Sequence, residues 1–353
     1  MQGKDGNPNA MWWHPDQFLK KKQCLETRMT VTRAVRAFFD NQDFWEVETP
    51  ALQICPTFDP HIHAFKTELR DKHLNHKQTL YLHTSPELDM KKLLVAGLPK
   101  IYQICHVYRN GDQSSMHSPE FSMIEWYRSD AGYNDIMDDC IGLLRAVAER
   151  CGINKYIYKD KSSDPFKDWQ IVSVSEAFES FAGIDLTLMI DEGLEKFKSI
   201  LEEKGIHYHE NDRWNDLFFR VFMDKIEPFL GQDVPTLIYD YPASMAALSQ
   251  KKTEDPRFSE RFELFVCGLE LANAFGELTD ATEQERRFHE DMALKEEIYG
   301  ERYPLDKEFI EALKHGMPNA GGIALGMDRL AMLAAGTDDI FNVLFTKSPG
   351  TLL

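Results

Sequence analysis

The feature that most restricts the fold of this chain is the spacing of its apolar residues. Alternating apolar and polar positions predict strands over residues 44–48, 80–83, 101–108, 121–127, 236–241, 261–269 and 321–325. Helical spacing predicts helices over residues 25–39, 88–96, 135–151 and 328–335, the third stopping before Gly152. The strands are joined by hairpins and long excursions, without the regular strand–helix–strand alternation of a doubly wound parallel sheet. An α+β fold follows, with a mostly antiparallel sheet and helices packed on it. Residues 1–18 are rich in Gly, Asn and Pro, and periodicity begins at Leu25. Residues 1–24 are therefore read as an N-terminal tail and 25–353 as one domain. Residues 154–234 are charged and aromatic, with several helical stretches and no evident site.

Composition narrows the function classes. At 353 residues and 43% hydrophobic content, the chain can bury a substantial core. No run approaches the ~20 apolar residues of a membrane span. The first residues lack a basic segment followed by an apolar one, so a cytoplasmic protein with no membrane partner is expected. A net charge of −18 disfavours polyanions at long range. The six cysteines form no CxxC pair, which argues against a zinc site or a disulfide framework.

Four segments could carry chemistry. Glu263, Glu270 and Glu277 recur every seven residues and would share a stripe on a helix. Phe262, Leu264, Val266 and Leu269 look strand-like instead, and residues 273–276 look like a turn. Two converging carboxylates suit Mg²⁺ and a third suits a substrate ammonium, with three solvated glutamates as the plain alternative. Arg109, followed by Asn110, Gly111 and Asp112 and then by His117-Ser118-Pro119-Glu120-Phe121, could clamp a phosphate or belong to an ordinary hairpin. In GGIALGMDR, residues 321–329, the glycines allow close backbone approach to a ligand, and Asp328 stands where a helix would be capped. A tight strand-to-helix turn explains that segment equally well. Thr84-Ser85-Pro86-Glu87 is a helix start that needs no function, and it precedes Lys91 and Lys92.

In this order and spacing, the segments resemble the three signature motifs of class II aminoacyl-tRNA synthetases, closest to the lysyl branch. Motif 1 corresponds to the helix from Arg28 and Val47-Glu48-Thr49-Pro50. Motif 2 runs from Tyr108-Arg109-Asn110 through Glu120-Phe121 to Glu125-Trp126-Tyr127, and motif 3 is residues 321–329. The chain has no room for the N-terminal anticodon-binding domain of lysyl-tRNA synthetases. In LHTSPELDMKKLLVAG, YPASMAALSQ, RFELFVCGLELANAFGELTDATEQERRF and GMPNAGGIALGMDRLAML it is similar to the elongation factor P lysyltransferases.

The resemblance implies a class II catalytic domain with a six- to seven-stranded sheet, acting as a homodimeric ligase with ATP and Mg²⁺. Such a ligase forms the adenylate of (R)-β-lysine or lysine and transfers it to elongation factor P, with no tRNA. By position, Arg109 would hold the α-phosphate, and Arg109 and Arg329 would be the catalytic residues. Phe121 and Arg329 would sandwich the adenine. Asn110, Gly111, Ser118, Glu270, Leu271 and Gly326 would complete the ATP site, and Glu263 and Glu270 would bind Mg²⁺. Ser85, Pro86, Glu87, Glu125, Tyr127, Asn273, Glu277 and Ala324 would line the amino-acid pocket, Glu277 meeting the distal ammonium. Ala324 replaces the glycine of lysyl-tRNA synthetases, which favours β-lysine. Gly111, Ser118 and Met116 depart from the family pattern of Glu, Asn and Arg. Gly111 and Met116 keep open a catalytically degenerate regulator, and a synthetase paralogue with another acceptor is a separate alternative. Lys20-Lys21-Lys22 and Lys91-Lys92 are candidate docking patches for an acceptor protein, with solvated charge as the plain alternative.

Overall fold

The structure is a computed structural model that describes residues 12–111, 114, 116–246 and 248–346. Its centre is an eight-stranded sheet. In spatial order the strands are Trp45–Glu46, Lys100–Tyr108, Glu120–Ser129, Ala320–Gly326, Leu269–Gly276, Phe258–Val266, Thr236–Pro242 and Gln170–Ser173. The six inner strands are antiparallel, and each outermost strand runs parallel to its neighbour. The fold is thus α+β as expected, with eight strands rather than six or seven. Two of these strands are unforeseen: Gln170–Ser173, a short edge strand that leaves too little alternation to read, and Leu269–Gly276, whose end is expected as a turn. The strand expected at 80–83 belongs to His76–Leu82, the middle of a separate three-stranded sheet with Leu52–Gln53 and Lys66–Arg70.

The first helix is Pro15–Asp40, so residues 15–24, expected as tail, are its opening turns. Proline at the first position presets φ for a helix, and the His14 ring accepts from the Asp16 N–H at 3.4 Å. Buried positions begin only at Leu25, which is why the period was silent before it. Residues 1–11 lie outside the described residues.

The two faces of the sheet differ in chemistry. One face presents Ile124, Trp126, Phe262, Leu264, Ile323 and Leu325 to the helices Pro15–Asp40, Tyr133–Cys151 and Met327–Ala335, forming the main core. The other face carries a transverse row of paired residues, Glu125, Ala324, Asn273 and Glu263, one from each of four adjacent strands. Directly opposed residues project to the same side, so this row is the floor of a polar surface. Helices between residues 174 and 229 cover its far end, where Ile238, Tyr241 and Phe265 pack with Phe178, Phe197 and Phe218.

The strands carrying Glu263 and Glu270 meet at Cys267-Gly268, with φ of +55° and +76°. Positive φ at both central residues matches the twist of a tight two-residue hairpin. The turn expected at 273–276 is instead strand. There Asn273 pairs with Ala324, and Gly276 leaves room for the Glu260 carboxylate. Leu271 and Ala272 both oppose Leu264, a β-bulge. The extra residue places Glu270 and Asn273 on one face although they are three apart, and Glu263 lies on that face too.

The motif 3 glycines serve packing. A Cβ on Gly321 would lie 2.7 Å from Ile136 Cγ1 and 2.8 Å from the Gly132 carbonyl oxygen, and one on Gly322 would enter the Tyr127 ring and the Glu277 carboxylate. Gly326 is roomier, with its nearest neighbour at 3.8 Å. Asp328 does not cap its helix. Its carboxylate accepts from Arg28 and from the Ser122 N–H (3.0 Å), and Arg28 also donates to Ser122 Oγ at 2.8 Å. Motifs 1, 2 and 3 are thereby joined at one point.

Gly321→Ala is expected to lower stability by about 1–3 kcal/mol, the usual cost of overpacking, while Gly326→Ala stays within about 1 kcal/mol. Urea unfolding of both variants checks this, and equal effects would contradict it.

Candidate active site

A cavity of about 470 Å³ opens on the polar face of the sheet. Among the residues singled out from sequence, Ser85, Glu87, Arg109, Ser118, Phe121, Glu270, Leu271, Asn273, Ala324, Gly326 and Arg329 line it. Glu125, Tyr127, Glu277 and Glu263 are buried beside these lining residues. Asn110, Gly111 and Pro86 are not part of the wall. Pro86 stands at the N-cap of the helix Glu87–Val95, and the Asn110 N–H donates to the His63 carbonyl at 2.8 Å.

One end of the cavity is built for positive charge. The Ser85 hydroxyl accepts from the Glu87 N–H at 3.1 Å and donates to Glu125 at 2.6 Å, while the Tyr127 hydroxyl donates to the other Glu125 oxygen at 2.8 Å. Lys91, one turn beyond Glu87, is fully buried and pairs with Glu87 and with Glu277 at 2.5 Å. Lys92 reaches Asp89 at 2.9 Å and Asp306 at 2.8 Å. Lys91-Lys92 is therefore neither a docking patch nor solvated charge. Both lysines are structural, and a doubled lysine in sequence carries no sign of burial.

Burial pushes Glu277 up to about 8; Glu87 and Glu125 add to the rise and Lys91 opposes it. Burial likewise pushes Glu125 up to about 7, reinforced by Glu87. Burial works against the charge on Lys91, but the Glu277 and Glu87 carboxylates outweigh it and hold the ammonium above its ordinary range. Three carboxylates around one ammonium leave this end short of positive charge. A cationic ligand would complete it.

The other end holds arginines. The Arg109 guanidinium lies 5.3 Å from the centre of the Phe121 ring. Arg329, in the first turn of Met327–Ala335, donates to the Glu270 carbonyl at 2.6 Å and meets His117 Nε2 at 2.5 Å. It is Arg109 that faces Phe121, while Arg329 is held by His117 and the Glu270 backbone. Ser114 and Met116 fix the loop that carries His117. Ser114 Oγ lies 2.7 Å from His117 Nδ1, and the Tyr158 hydroxyl donates to Met116 Sδ at 3.0 Å. Gly111 is exposed with φ of +91°, a conformation strained for the glutamate of the family pattern. Asp112 lies outside the described residues.

Glu263 accepts from the Tyr241 hydroxyl and from Arg261, each at 2.6 Å. Glu270 is pushed up to about 7, mainly by desolvation and then by the neighbouring Glu263. Glu263 is buried and Glu270 is exposed beside it on the same face, and two such carboxylates suit a shared divalent cation. Among the described residues no cluster of three or more His, Cys, Asp or Glu is placed to hold a metal. Phosphate oxygens and water would have to supply the remaining ligands. Sequence reading missed Arg261, which also donates to Asn273 at 3.2 Å and to the Met245 carbonyl at 2.6 Å. Its available signal was position, two residues before Glu263 on a strand and so on the same face.

Burial pushes Glu125 up to about 7 in the folded protein, whereas unfolding returns it to an ordinary carboxylate. Its contribution is therefore complete below the unfolded value and fades as pH rises through about 7. Wild type should lose on the order of 2 kcal/mol from this group between pH 5 and 8, and Glu125→Gln should flatten that slope. Urea titrations across the range read it; superimposable slopes would count against the assignment.

Residues 17–348 match the family model described as tRNA synthetases class II (D, K and N). The elongation factor P–(R)-β-lysine ligase of Histophilus somni (strain 2336) is 37% identical over 333 residues, 94% of this chain and 96% of that protein. The protein of the same name from Haemophilus ducreyi is 38% identical over 341 residues, 96% and 97% of the two chains. A lysine–tRNA ligase of Pelotomaculum thermopropionicum is 36% identical over 331 residues, 92% of this chain but 63% of that one. With its three motifs meeting around one cavity, this chain belongs to the class II tRNA synthetase family of the aspartate, lysine and asparagine group.

Proposed function

We propose that this chain is an ATP-dependent ligase that activates (R)-β-lysine as an adenylate and transfers it to a lysine side chain of elongation factor P. The observation that carries this reading is mutual coverage. Relatives named for that activity match over 96–97% of their own length, whereas the chain spans 63% of the lysine–tRNA ligase. The cavity chemistry agrees with a substrate that carries two ammonium groups. Glu87, Glu125 and Glu277 supply negative charge at one end, and Arg109 and Arg329 suit phosphates at the other.

The substrate carboxylate is already ionised, so activation needs no general base. The protein has only to hold it in line with the α-phosphorus. Arg109 orients the phosphate, and Phe121 with Arg329 holds the adenine. Glu277, Tyr127 and Asn273 set the amino acid against the floor at Ala324. Mg²⁺, held by Glu263 and Glu270 together with phosphate oxygens, would screen the charge that develops as pyrophosphate leaves. In the transfer step the neutral amine of the acceptor lysine attacks the acyl carbon. The bond from that carbon to the phosphate oxygen breaks, AMP leaves with the electron pair, and the amine loses a proton to water. As in the family, the working unit would be a homodimer.

Pyrophosphate exchange with ATP, Mg²⁺ and a panel of lysine isomers tests activation, and labelling of purified elongation factor P against bulk tRNA tests the acceptor. Exchange should be fastest with (R)-β-lysine, and label should reach the protein. Preference for α-lysine, or label on tRNA, would sink the proposal. Glu277→Gln should raise KM for the amino acid about 10–100-fold while changing that for ATP little. Ala324→Gly should narrow the β-over-α preference by roughly tenfold, the scale set by one methyl group.

A further inference from the structure

One wall of the cavity is a loop, residues 56–62, of which Pro56, Thr57, Phe58, Asp59 and Ile62 face the interior. It spans the two ends of the site. At its start the Pro56 carbonyl accepts from Thr84 Oγ1 at 2.8 Å, next to Ser85. Just beyond its end the His63 carbonyl accepts from the Asn110 N–H at 2.8 Å, next to Arg109. A loop without regular structure holds such a course only if its backbone carbonyls are satisfied.

Lys295, on the helix Ala281–Tyr299, supplies the donors. Its side chain is fully buried, and its ammonium donates to the Pro60 carbonyl at 3.0 Å and to the Ile62 carbonyl at 2.9 Å. Glu301 lies 3.3 Å away, and the Tyr303 and Tyr299 rings flank the charge at 4.9 and 5.5 Å. Glu301 also meets His63 at 2.8 Å, and the Tyr303 hydroxyl accepts from the Ala64 N–H at 2.9 Å. Burial holds the Lys295 ammonium below its ordinary value, Glu301 opposing. A lysine buried at that cost, with two of its donors spent on one loop, is placed for the loop.

We propose that Lys295 is a positioning residue for adenylate formation: by fixing the Pro60 and Ile62 carbonyls it sets the 56–62 wall, and through His63 and Asn110 it registers Arg109 to the amino-acid end. The kinetic part of this rests on the ligase reading above, whereas the structural part does not.

The test uses the full chain and two readouts. Amide hydrogen exchange needs no substrate. In Lys295→Ala, protection at Ala64 and Asn110 should fall at least tenfold, while the helix Tyr133–Cys151 is unchanged. In pyrophosphate exchange, KM for both ATP and (R)-β-lysine should rise about tenfold or more, with kcat falling less. Added n-propylammonium, which fits the vacated stem and head, should restore both readouts, and tetramethylammonium should not. If Lys295→Ala does not fold, Lys295→Met, which keeps the stem packed and leaves no room for the amine, is read by protection and KM without the rescue arm. Unchanged protection in a folded variant, kinetic loss without amine rescue, or failure of both variants to fold would overturn the proposal. Absence of exchange activity in wild type would count against the ligase reading and leave the hydrogen-exchange arm decisive for Lys295.

Discussion

Lys91 sits out of water between Glu87 and Glu277, and what that contact requires governs how the parts around it are built. Removing an ammonium from water costs several kcal/mol, recovered only where its carboxylate partners are held in place. Glu87 is held by the helix start that Ser85 organises. Glu277 is held by its N–H donating to the Ala320 carbonyl at 2.9 Å and by the absence of a side chain on Gly322. Glu125 is pinned between Ser85 and Tyr127. Segments two hundred residues apart must therefore be in register before the charges can be buried together. The apolar face of the same sheet, with Trp126, Phe262 and Ile323 under three helices, supplies the favourable burial that offsets this.

The fold class was readable because periodicity reports one-sided burial. The helices Tyr133–Cys151 and Met327–Ala335 and most inner strands bury one face and showed it, whereas Leu269–Gly276, its alternation broken by the bulge, did not. The opening turns of Pro15–Asp40 bury little and the edge strand Gln170–Ser173 has four residues, so neither had a period to show. Within the site, the residues carried by motif were legible as a set but not as a geometry. Glu263, Glu270 and Glu277 read as a helical stripe or as a strand running into a turn, and the hairpin at Cys267-Gly268 replaces both readings with two strands. Cysteine at a positive φ is not a residue from which a turn is ordinarily read. Buried cations were the least visible feature. Lys91 and Lys295 look like surface charge in a sequence, and their burial depends on partners far along the chain.

The two ends of the cavity also answer how a chain of net charge −18 can serve a nucleotide. Net charge acts over a screening length, whereas Arg109 and Arg329, as proposed, would act at contact in a site partly shielded from solvent. The same locality lets three carboxylates sit at one end and two arginines at the other without cancelling. The junction of Arg28, Ser122 and Asp328 anchors the arginine end. It ties the first helix and the motif 2 strand to the helix bearing Arg329, so Arg329 is set by the core.

The bulge at Leu271 gives the site an unusual dependence on chain length. Side chains along a strand alternate, so adding or losing one residue exchanges the faces of everything beyond it. Deleting a residue here would turn Asn273 and Phe275 toward the helices and bring Ala272 and Ala274 to the cavity floor. Replacing Leu271 by another apolar residue would leave the phase intact. At this point the active site is specified by a count of residues more than by their identity, and a comparison of side chains alone would overlook it.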